Sequence, residues 1–126
     1  MNQVERLEKA AKLIEERGHA KGVFVNDAGC LCLAGAIILA EGGRIEKRTD
    51  EPEACSSPSG PTTRSDFAEI GRRLRRRGFL ITDEPSASEL AVWNDMPERT
   101  KEDVVKLLRE GFGWNPWRQL AARWPR

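Results

Sequence analysis

The stretch CLCLAGAIILAEGG, residues 30–43, decides how this chain is read. Two cysteines spaced one apart stand ahead of an apolar run of small and branched residues. A thiol at a helix start is acidified and reads as a nucleophile. A cysteine pair reads as half of a metal site, and a small apolar thiol reads as core. From about residue 31 the run LAGAIILA continues as a buried helix until Gly42 and Gly43 stop it. Ala34, Gly35 and Ala36 let neighbouring helices approach closely. The expectation is a helix over 32–41 with Cys32 in the core and Cys30 less enclosed.

Upstream, residues 2–17 repeat Val4, Leu7, Ala11 and Ile14 at helical spacing, with charge on the other face. Gly18 follows, where a helix stop is expected. Val23, Phe24 and Val25 are strand-prone, and residues 26–29, NDAG, are a turn signal. Together they allow one short β-hairpin within 22–33. Downstream, residues 42–62 read as a long loop, because Pro52, Pro58 and Pro61 break regular structure.

A third helix is predicted over 64–77, with Thr63 and Asp66 as its cap and Phe67, Ile70 and Leu74 on its apolar face. Ser86 and Glu89 form a second capping signature ahead of Leu90, Val92 and Trp93. Thr100 and Asp103 open a closing helix that carries Val104, Val105, Leu107 and Leu108 inward. The fold class is therefore mainly α: a small single domain of four to five helices over residues 1–110. Its central packing trio is the first helix, the helix over 32–41 and the helix over 100–110. Residues 111–126 form a Trp-rich tail, read as a helix that starts at Asn115 and Pro116.

The totals bound the function. The chain has 126 residues, with 39% hydrophobic, 33% charged and a net charge of +1. That balance excludes a molecule-wide electrostatic nucleic-acid binder, so any such role needs a local patch. No run approaches the roughly 20 apolar residues of a membrane span, and the N-terminus lacks a signal-peptide layout. A soluble, cytoplasmic protein is expected. Three cysteines, an odd number, are then expected as thiols.

The order of segments resembles a family of small uncharacterised actinobacterial and actinophage proteins. The residues that carry the resemblance are the Cys-x-x-Gly-Ala helix (Cys32, Gly35, Ala36) and the element Trp93, Asn94, Asp95 leading to Arg99 and Thr100. The likeness covers about residues 4–110. It implies a compact domain of phage or mobile-element origin and brings no activity with it.

Five features compete for function. Cys32 as nucleophile, His19 as base and Asn94 or Asp95 as orienter would make a small Cys-dependent hydrolase or transferase. The bland alternative is that Cys32 is core. His19, Cys30, Cys32 and Cys55 have the right count for zinc and the wrong spacing, so no metal is assigned. Residues 64–77 hold six arginines against two acids. Arg72, Arg73 and Arg76 would give a phosphate-binding stripe, or a solvated face paired with Glu5, Glu8, Glu15 and Glu16. Trp93, Asn94 and Asp95 make a candidate pocket, or a helix stop in which Asp95 pairs with Arg99. Trp114, Trp117 and Trp124 suit a protein partner, or complete the core. No Gly-rich phosphate loop or other catalytic signature appears, and no cofactor is expected. The leading expectation is a non-enzymatic protein-binding accessory factor acting on a host protein. A nucleic-acid module on helix 64–77 is the further alternative.

Overall fold

The computed structural model describes residues 2–47, 55–56 and 60–110. They form a small, mainly helical single domain in which five helices are described. Helix α1, Gln3–Arg17, starts at Asn2, whose side chain accepts from the Glu5 N–H at 2.8 Å. Leu7, Ala10, Ala11 and Ile14 line its buried face. It ends at Gly18, whose φ of +97° is left-handed and whose N–H closes on the Ile14 carbonyl at 2.8 Å.

Helix α2, Leu33–Ala40, is apolar all round, and every residue except Leu39 is buried. An element of that kind must be wrapped on all sides. It packs on α1, on α3 (Pro61–Arg76) and on α4 (Ala87–Asn94). Helix α5, Lys101–Arg109, closes the far side of α1 and also meets α3. Within the expected trio, α1 is the helix that packs on both of the others, α2 and α5.

The entry to α2 is a rudimentary hairpin. Asn26 makes the turn: its side-chain oxygen accepts from the Ala28 and Cys30 N–H groups, and its carbonyl accepts from Gly29. Leu31 then bridges two neighbours, antiparallel to Val25 and parallel to His19. The ladder stops there, because Cys32 begins the helix.

Three local expectations are corrected. The loop over 42–62 contains a short antiparallel pair, β1 (Glu46–Lys47) with β2 (Cys55–Ser56). Its prolines fall outside those four residues, so no ladder N–H is missing. Helix α3 starts at Gly60 and Pro61 rather than at Thr63. Proline at the first position has its φ preset for a helix and lacks only an N–H that would go unused. And the close approach at Gly35 is not helix to helix: a Cβ there would collide with the Phe24 carbonyl oxygen. The small residue serves the hairpin backbone. Among the described residues no helix is long and apolar enough to cross a membrane.

Candidate functional site

Helix α4 ends on Trp93 and Asn94, and Asp95 caps it. Asn94 is 1% exposed and makes a four-way junction. Its Oδ1 accepts from the Leu33 N–H at 3.0 Å, and its Nδ2 donates to the Ala20 carbonyl at 3.0 Å. Leu33 N–H can only donate and the Ala20 carbonyl can only accept, so the amide has one orientation. His19 Nε2, 2.7 Å from the same Oδ1, must therefore carry its ring proton and donate it. Asp95 Oδ1 takes the remaining Asn94 N–H at 2.8 Å and the Gly22 N–H at 3.0 Å. This pair of side chains thus ties α4 to the backbone on both sides of the hairpin.

Cys32 is the N-cap of α2. Its Sγ lies 3.3 Å from the Gly35 N–H, which donates to it, and the residue is 4% exposed. Cys30 is half-buried, with its sulfur against Gly18, where an added Cβ would lie 3.0 Å away. His19, Asn94 and the start of α2 are therefore neighbours, with Cys32 turned into its own helix.

Arg99 does not pair with Asp95. Its guanidinium lies 4.0 Å from the centre of the Trp93 ring, its Nε donates to the Trp93 carbonyl at 3.0 Å, and its ion pair is to Asp103. The W-N-D candidates are all turned to internal work.

The arginine stripe on α3 is broken up, and Arg73 is a correction. It is 2% exposed, and its Nη1 donates to the Leu107 and Leu108 carbonyls at 3.0 and 2.8 Å. These are loose carbonyls at the C-terminal end of α5, which a cation suits. Arg75 and Arg77 pair with Asp83 and Glu110, and Arg72 with Glu69. Arg64 and Arg76 are exposed and show no ion pair among the described residues. Glu8 and Glu15 of α1 face Arg109 of α5 instead of this helix. The Arg109 hydrogen bond holds the Glu15 carboxyl below its ordinary range.

One polar cluster escapes the sequence reading. Asp66, fully buried, accepts from Arg6 Nε at 2.9 Å, from Arg6 Nη2 at 3.0 Å and from Gln3 Nε2 at 3.0 Å. Glu41, just past α2, accepts from Thr63 Oγ1 at 2.6 Å, and Thr63 and Asp66 lie one turn apart on the inward side of α3. Burial and the neighbouring Asp66 push the Glu41 carboxyl up to about 7. Burial pulls Asp66 upward too, but the hydrogen bonds from Arg6 and Gln3 and the neighbouring Glu41 outweigh that and leave it lowered. The available signal was spacing: Asp66 and Arg73 both lie on the stripe of Thr63, Phe67, Ile70 and Leu74 that turns inward.

Among the described residues no three His, Cys, Asp or Glu side chains gather as a metal site. The tail candidates Trp114, Trp117 and Trp124 lie outside the described residues, as does the side chain of Cys55. No curated protein and no solved structure matches the chain. A family model does match it, over residues 1–111, and the chain belongs to that family, a family of unknown function (DUF6197).

Proposed function

We propose that the protein is a non-enzymatic binding protein, a phage- or mobile-element-encoded accessory factor that acts on a host protein. One observation carries the reading: the groups that chemistry would use are committed to backbone partners. Asn94, Asp95 and the Cys32 sulfur each hold an N–H of the fold. Exposed apolar side chains remain. Leu80, between α3 and α4, is 95% exposed, and Val92 on α4 is 64% exposed. By sequence alone, residues 111–126 hold three tryptophans, a residue enriched at protein interfaces. Affinity capture from an actinobacterial lysate tests this with wild type, Leu80→Asp and Trp117→Ala/Trp124→Ala. The expected result is a defined partner that wild type holds and one or both variants lose. A wild-type protein recovered alone, or one whose partner ignores all three changes, overturns it.

The Cys-dependent enzyme is the second reading, favoured by the His19–Asn94 hydrogen bond and by the place of Cys32 at a helix start. Alkylation of native and unfolded protein separates the two, with the labelled cysteine mapped by mass. The binding reading expects Cys30 to label first and Cys32 only on unfolding. Fast labelling of native Cys32 that slows in His19→Ala displaces it in favour of the enzyme.

A further inference from the structure

Two carboxyls face each other where α2, α1 and α3 meet. Glu41 comes from the C-terminal end of α2, and Asp66 from the second turn of α3. Among the described residues the charged group facing both is Arg6 of α1. One guanidinium does not neutralise two carboxylates, one buried and one half-buried, and Asp66 already takes two of its N–H bonds. Glu41 Oε2 is used by Thr63, while Oε1 is buried and has no donor among the described residues. A carboxylate oxygen shut away without a donor is costly, whereas a carboxylic acid O–H there has an acceptor in Asp66.

We propose that Glu41 and Asp66 share one proton and act as a proton-operated clasp, tying the end of α2 to the first turns of α3 and loosening when the proton leaves. The tie spans a chain interval. Glu41 precedes residues 42–62 and Thr63 follows them, so one carboxyl holds both ends of that interval together. Loss of the proton leaves two adjacent anions on one cation, and repulsion acts across the α2–α3 contact. The raised Glu41 carboxyl agrees with this arrangement.

The direction with pH follows from linkage. A Glu41 that keeps its proton in the closed clasp and gives it up when the clasp opens makes opening easier as pH rises. The change runs from the ordinary carboxylate range up to about 7 and then levels off. Native-state hydrogen exchange reads it at the amides of residues 64–67, after division by the intrinsic base-catalysed rate. In wild type, protection there is expected to fall several-fold between about pH 5 and about pH 7. In Glu41→Gln, which donates to Asp66 and accepts from Thr63 without titrating, protection is expected to stay flat. Parallel profiles in the two proteins overturn the clasp. Should the variant not fold, carboxyl carbon NMR of wild type decides. A Glu41 midpoint near 7 that also perturbs Asp66 supports the clasp, and a midpoint in the ordinary carboxylate range sinks it.

Discussion

At the scale of single residues, the buried polar groups have fixed partners, so their removal is expensive. Asn94→Ala leaves the Leu33 N–H without its oxygen and the Ala20 carbonyl without its donor. Each unpaired buried group costs about 1–3 kcal/mol. A loss of about 2–6 kcal/mol in urea denaturation is expected on that basis. Asn94→Asp is a sharper probe: it keeps the acceptor for Leu33 and His19, loses the donor to Ala20, and sets a second negative charge beside Asp95. It should be destabilised as well, and more so at neutral than at mildly acidic pH. An Asn94→Ala protein of wild-type stability would show the junction to be dispensable. The W-N-D element was legible as a helix end, because Asn and Asp commonly satisfy loose backbone groups. Its partners were not legible: Ala20 and Leu33 lie more than sixty positions away, and no local pattern encodes such a contact.

At the scale of elements, the two strongest local signals test differently. The Thr100–Asp103 capping box is present in full, with the Asp103 N–H donating to Thr100 Oγ1 at 3.2 Å and the Thr100 N–H to Asp103 Oδ2 at 3.0 Å. Thr100→Ala should cost about 1 kcal/mol by denaturant midpoint, as exposed caps generally do. Gly35→Ala should cost far more, about 3 kcal/mol or beyond, because the new methyl meets the backbone of Phe24 and neither side has a flexible end to move. Equal effects of the two changes would contradict this packing. The comparison also explains what periodicity can reveal. Helices α1 and α5 were legible because their apolar stripes and caps are encoded within a few turns. Helix α3 was legible in its existence but not in its start or in two of its buried positions. Asp66 and Arg73 follow the apolar spacing, yet as charged residues they read as a cap and as a solvent-facing stripe. Only neighbours from α1 and α5 make them inward-facing.

At the scale of the molecule, the clasp sets an unusual pH course for stability. Asp66 is held below its ordinary value, so it adds stability that is present above the unfolded value of 3.8 and is lost in acid. Asp103, lowered first by the Thr100 backbone N–H, acts in the same direction. Glu41 works oppositely. Its carboxyl rises from 4.5 to about 7 on folding, so its contribution is complete below 4.5 and is lost as pH climbs to about 7. The folded state binds the extra proton throughout that interval, and stability must fall there. Linkage allows about 1.4 kcal/mol per pH unit at most, and water around a partly exposed carboxyl reduces it. A decline of about 1–2 kcal/mol between about pH 5 and about pH 7 is therefore expected in urea unfolding. Glu41→Gln should remove that decline while keeping the acid limb, which belongs to Asp66. Asp66→Asn should do the reverse to the acid limb, at a cost in stability at every pH because Arg6 loses its carboxylate. A wild-type profile that rises steadily from pH 5 to pH 7 would place the proton elsewhere, and the α2–α3 contact would then owe nothing to the carboxyl pair.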